Sequence, residues 1–207
     1  SEGLETVLER TIPINAALTL VENKYLAFGT ASVSVDGEST WRDEVPTSGL
    51  ATCLMPIAPE WGNIWGTSTG HIYATFDNLA TPLVDLGQPH GAVACTAVWG
   101  HEQDTTRLWA GFDDGRVYYG ELDLAAQTAV WTHQGTLPTN DTVIELRESY
   151  GLLGELRATS GQGYYYSADS GTTWSLLHTF ANAWRMAAGF DANLASGLDD
   201  VAPLYRE

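Results

Sequence analysis

The sequence predicts an all-β chain built from about five copies of one unit of up to four antiparallel strands. Three observations carry this: turn signals at roughly 8–12-residue intervals, a recurring small residue closing the second strand of each unit, and two cysteines at the same place in neighbouring units. The small residue is Gly29 in YLAFGT, Gly66 in NIWGTS, Gly111 in RLWAGF, Thr159 in LRATSG and Gly197 in NLASGL, at spacings of 37, 45, 48 and 38. Gly49-Leu-Ala-Thr-Cys aligns with Gly91-Ala-Val-Ala-Cys, which sets Cys53 and Cys95 42 residues apart. Third strands align in the same way, as Gly70-His-Ile-Tyr, Gly115-Arg-Val-Tyr and Gly163-Tyr-Tyr-Tyr.

A period of about 42 residues is that of a four-stranded β-propeller blade, and the expected fold is therefore a small single-domain propeller over residues 1–207. The innermost strands fall at about 16–21, 51–57, 93–98, 143–147 and 183–187. One phase of these strands, Thr19, Leu54, Thr96, Glu145 and Arg185, is mostly polar and is expected to line the central channel. The other, Leu18, Cys53, Cys95, Ile144 and Trp184, is apolar and is expected to pack between blades. At the C-terminus, residues 193–205 supply second and third strands without a fourth, whereas residues 4–13 resemble the outer strands of the other units. The N-terminal strand is thus expected to pair with the C-terminal blade and close the ring, which removes an exposed sheet edge. The blades read as about 14–49, 50–90, 91–140, 141–180, and 181–207 joined to 1–13.

Lys and Arg total 9 against 26 Asp and Glu, a formal charge of -17. Such a chain cannot assemble the basic face that phosphate contacts need, so nucleic acid is excluded as a partner, and anionic membranes are disfavoured for the same reason. No apolar run approaches the roughly 18 residues of a membrane span, and no signal peptide is visible. With 44% hydrophobic residues and eight tryptophans, the charge belongs to a folded acidic surface rather than to disorder. Lys24 is the one lysine beside eight arginines. Salt screens self-repulsion of this kind, so the composition points to a halophilic setting, and loss of structure on dialysis to low salt is the expected result.

Ser167-Ala-Asp169-Ser-Gly171-Thr-Thr173-Trp174 has the pattern Ser-x-Asp-x-Gly-x-Thr-Trp between a third and a fourth strand. Residues Ser34-Val-Asp36-Gly-Glu-Ser-Thr-Trp41 form a degenerate copy in the first unit. On these residues the chain resembles the Asp-box (BNR-type) β-propeller repeat family. The box itself reads as structural: the carboxylate accepts backbone N–H groups inside the turn, glycine supplies a positive φ, and the tryptophan covers the hairpin base. The resemblance implies a fold and no activity.

The chemistry-bearing side chains do not add up to a catalytic set. Glycoside hydrolysis needs a pair of carboxylates at a defined separation, and the polar channel phase holds Glu145 alone. With Arg147 and Arg185 nearby, Glu145 reads as one partner of a channel ion pair between neighbouring blades. Histidines 71, 90, 101, 133 and 178 lack metal-ligand spacing, so no metal site and no cofactor is expected. Cys53 and Cys95 read as buried free thiols. The acidic turns Asp113-Asp114-Gly115 and Asp199-Asp200 lack the ligand order of a calcium loop, and type I′ turn chemistry accounts for the first. Trp61 and Trp99 are the candidate exposed platforms for a sugar face or a protein contact, with Asp113, Asp114, Asp199 and Asp200 on the same candidate binding surface.

The expected function is non-enzymatic binding or assembly through a protein partner or a host-surface contact, with a virion component of a halophilic virus or phage as the model. A lectin-like propeller on cell-surface glycans is the second reading, and a glycoside hydrolase the third.

Overall fold

The computed structural model describes backbone at residues 18–21, 24–27, 32–34, 41–43, 48–58, 62–76, 83–100, 104, 106–149, 154–179, 183–189, 192–197 and 205–206. Side chains are described within 48–55, 64–76, 83–100, 104, 106–149 and 154–179. Every regular element among these residues is a strand.

The strands follow one another in antiparallel sheets of consecutive members. The first holds β1 (Leu18–Val21), β2 (Lys24–Ala27), β3 (Ser32–Ser34) and β4 (Trp41–Asp43); the second β5 (Ala51–Ala58), β6 (Gly62–Thr67), β7 (Ile72–Ala74) and β8 (Val84–Asp85). The third holds β9 (Cys95–Gly100), β10 (Arg107–Phe112), β11 (Arg116–Asp123) and β12 (Thr128–Thr136); the fourth β13 (Glu145–Glu148), β14 (Leu156–Thr159), β15 (Gly163–Ser167) and β16 (Ser175–Thr179). A three-stranded sheet of β17 (Ala183–Gly189), β18 (Ala192–Gly197) and β19 (Tyr205–Arg206) ends the series. β5 lies beside β9, β9 beside β13, and β13 beside β17. The expected closing strand, residues 1–13, lies outside the described residues.

Alternation along the strands sends side chains to opposite faces, and the third sheet uses both. Cys95, Leu108, Ala110, Phe112 and Tyr118 pack toward the second sheet with Ile64, Ile72 and Leu86. Trp99, Trp109 and Val117 pack toward the fourth with Val143, Leu146, Leu156, Ala158 and Tyr165.

The recurring glycine of the second strand has a packing reason. A Cβ on Gly66 would stand 2.5 Å from Cys53 Sγ and 2.7 Å from Cys95 Sγ, and one on Gly111 2.5 Å from Val143 Cγ1. Each glycine therefore receives the first strand of the following sheet, or the residues leading into it, at a distance that a methyl group would block. Two threonines repeat with the same logic: Thr52 Oγ1 donates to the Cys95 carbonyl, and Thr96 Oγ1 to the Val143 carbonyl at 2.7 Å. Thr96 sits at a register shift between β9 and β10, where Phe112 pairs with Cys95 and Gly111 with Ala97. Its hydroxyl joins two sheets. Thr52 sits at the matching shift between β5 and β6, so Cys53, opposite Gly66, corresponds to Ala97, opposite Gly111, and the two cysteines are not the equivalent residues that their spacing predicted.

The β10–β11 turn also differs from expectation. Gly115 N–H donates to the Phe112 carbonyl at 3.1 Å, and the positive φ of this turn is at Gly115, +83°, with none at Asp113 or Asp114. A type I′ turn needs both central residues at positive φ, so this is a type I turn followed by a left-handed glycine. The β6–β7 turn repeats it, with Gly70 at +82°.

Candidate functional site

The candidate residues among those described lie on turns and connectors at the two ends of the sheets and on the strands β9 and β13. At one end lie the β6–β7 and β10–β11 turns with the connectors between sheets; at the other lie the turn from β15 to β16 and the far end of β13.

The turn from β15 to β16 carries the Ser-x-Asp-x-Gly-x-Thr-Trp sequence, in which the serine, aspartate, glycine and threonine bond to one another. Ser167 Oγ donates to Asp169 Oδ1 at 2.8 Å and accepts from Gly171 N–H at 2.8 Å. Asp169 Oδ1 accepts from Thr173 N–H at 2.8 Å, and Oδ2 from Thr173 Oγ1 at 2.7 Å. Those two Thr173 bonds, joined by the Ser167 hydroxyl, hold the Asp169 carboxyl below its ordinary value. Trp174 packs on the core shared by the third and fourth sheets. A carboxyl depressed in the folded state contributes stability that is full above its unfolded pKa and fades as pH falls through the folded one. Asp169→Ala should therefore lower the melting temperature at neutral pH, with the gap to wild type narrowing on acidification below the ordinary carboxylate range. A gap independent of pH would show that the carboxylate charge is idle. In the degenerate first copy, Ser34 pairs with Trp41 across β3 and β4. Asp36 and the side chains of Ser34 and Trp41 lie outside the described residues.

Glu145 and Arg147, two residues apart on one face of β13, pair within the strand: Arg147 Nη2 stands 2.6 Å from Glu145 Oε1, and Nε donates to the same oxygen at 2.7 Å. The guanidinium lies over the Trp99 ring, 5.3 Å from its centroid, so this ion pair reaches the third sheet through an aromatic face. Arg185 is on β17, beside β13; its side chain is outside the described set.

Trp99 is not an exposed platform. It is 8% exposed, stands opposite Trp109 in the ladder of β9 and β10, and belongs to the second core cluster. Trp61, Asp199 and Asp200 lie outside the described residues. Asp113 is exposed, and its Oδ1 accepts from Thr142 Oγ1 at 2.6 Å, which anchors the connector into β13.

Asp114 belongs to a cluster that spacing alone did not reveal. His90, on the connector into β9, donates from Nε2 to Asp114 Oδ2 at 2.7 Å. Its Nδ1 stands 3.1 Å from the Tyr118 hydroxyl, and Arg116 Nη1 lies 3.3 and 3.4 Å from the two ring nitrogens. Burial alone would raise the Asp114 carboxyl, but the His90 bond, the Arg116 N–H and the charges of both residues outweigh it and hold the carboxyl low. Among the described residues, no group of three or more His, Cys, Asp or Glu side chains could hold a metal ion.

Glu148 is a second feature that the sequence reading missed. Its side chain, 1% exposed, lies between the third and fourth sheets. Oε1 accepts from Arg107 Nη2 at 2.8 Å and from Gly154 N–H at 2.6 Å, and Oε2 from Trp109 Nε1 at 3.4 Å. The signal was available in the alternation Ile144, Leu146, Glu148, which puts an acid on the apolar phase of its strand.

No family model matches the chain, and no curated protein does. Among solved structures, an ancestral GH74 enzyme aligns with a TM-score of 0.62 at 9% identity, covering 92% of this chain and 30% of its own. The fold is propeller-like and all-β. The computationally designed Ika4 protein aligns with a TM-score of 0.54 at 14% identity, covering 80% of this chain and 98% of its own. At such identities the likeness concerns fold alone, and the chain spans about a third of the GH74 enzyme's length.

Proposed function

We propose that the chain is a five-bladed β-propeller of the Asp-box type, closed by its N-terminal strand against β19, whose role is binding or assembly rather than catalysis. The observation that carries the non-catalytic reading is the engagement of both β13 carboxylates. Glu145 is held by Arg147 at 2.6 Å, and Glu148 by Arg107 at 2.8 Å with its side chain out of solvent. A hydrolytic acid and base need carboxyls facing a substrate across an open gap.

Contacts are assigned to the outer strands, where Val130 on β12 and Leu176 and Leu177 on β16 face solvent. The acidic surface fits a saline setting, and a virion shell or tail component of a virus from such a setting is the model. Native mass, a glycan array and a polysaccharide-hydrolysis assay, each at low and molar salt, test this reading. A defined oligomer or a protein companion, lost on Leu176→Asp, without sugar binding or turnover, is the expected result. Saturable glycan binding by a monomer would replace it with the lectin reading, and turnover abolished by Glu145→Gln with the hydrolase one.

A further inference from the structure

Cys53 and Cys95 lie on β5 and β9, strands of neighbouring sheets, and both sulfurs converge on one glycine although the ladders make Ala97 the counterpart of Cys53. Cys53 pairs with Gly66 in the ladder of β5 and β6. The position a Gly66 side chain would fill is 2.5 Å from Cys53 Sγ and 2.7 Å from Cys95 Sγ. The two thiols therefore occupy the space left by one missing methyl group. Cys53 Sγ also stands 3.6 Å from the Cys95 carbonyl. Both cysteines are free thiols; Cys53 is half-buried and Cys95 buried.

We propose that Cys53 and Cys95 form a reversible disulfide between the second and third sheets when the folded protein meets a low-molecular-weight disulfide. The half-buried Cys53 reacts first. Its thiol loses a proton and the thiolate attacks one reagent sulfur; the reagent S–S bond breaks, and the departing small thiolate takes up a proton. Cys95 then gives up its own proton and attacks the Cys53 sulfur. The mixed disulfide breaks, and a second small thiol leaves with that proton. The two protein thiols are oxidised by two electrons in all, and one reagent disulfide is reduced to two thiols. Burial, and after it contact with Cys53, raises the Cys95 thiol well above its ordinary value, which leaves the half-buried Cys53 as the thiol that meets the reagent. Once formed, the bond ties residues 42 positions apart and removes extended conformations from the unfolded chain.

The test is native oxidation with glutathione disulfide at mildly alkaline pH, followed by thiol counting, peptide mapping and thermal melting. The expected outcome is a cross-linked pair of peptides holding Cys53 and Cys95, a loss of two hydrogens in intact mass, and a melting temperature higher by about 5–10 °C that dithiothreitol returns to its starting value. Cys53→Ala should abolish the oxidant-dependent rise; if that variant does not fold, the wild-type peptide map decides alone. A glutathione adduct that stays on Cys53, two thiols that survive native oxidation, or a cross-link that forms only in denaturant would each overturn the proposal.

Discussion

Replacing Glu148 with alanine is expected to cost about 3 kcal/mol of folding stability, because the Arg107 guanidinium and Gly154 N–H lose their acceptor between two sheets. The figure sits at the low end for a broken buried pair because the Arg107 side chain keeps 17% of its exposure and can recruit some water. The carboxylate also orders Gly154, at φ +86°, just before β14. Denaturant unfolding of Glu148→Gln, Arg107→Met and the double variant separates the pair from its surroundings. The double variant should lose clearly less than the two single losses combined, since neither leaves an isolated charge once both are gone. Strict additivity would mean that the two groups do not recognise each other.

The second large effect is expected at Gly111. Alanine there would bring a methyl carbon to 2.5 Å from Val143 Cγ1 and 2.7 Å from Val143 Cβ. β10 pairs with β9 on one side and β11 on the other, so its backbone has little room to yield. Overpacking of this kind costs about 1–3 kcal/mol. Val143→Ala removes two of the three clashing atoms and should restore part of the loss in the double variant, although alone it opens a cavity and destabilises. Equal destabilisation by Gly111→Ala with and without Val143→Ala would mean that the glycine answers to backbone conformation instead of packing.

The sheets were legible because their contacts recur. Gly66 and Gly111 mark where the next sheet approaches, and that demand repeats with the fold, so it leaves a period in the sequence. The turn type was not legible, because Asp-Gly serves equally in a type I′ turn and in a type I turn ending on a left-handed glycine; the choice rests on φ at Asp114. Trp99 was misplaced for a related reason. The following Gly100-His101 resembles a loop, yet β9 runs on to Gly100 and sets Trp99 against Trp109. His90 and Glu148 depend on partners in other strands, Asp114 and Tyr118 for one and Arg107 for the other. Repeat spacing says nothing of pairs that occur once.

The β10–β11 turn bonds to the connector before it, through Asp113 N–H to the Ala94 carbonyl at 3.0 Å, and to the connector after it, through Thr142. Ser68 N–H and the Leu50 carbonyl repeat the first of these at 2.8 Å. Order in such a molecule propagates from neighbour to neighbour, because opening one sheet exposes the cores it shares with the sheets on either side. Amide hydrogen exchange should consequently rank the sheets by flanking rather than by size. Slow protons are expected on β9, β10 and β11, which hold a packed core on each side.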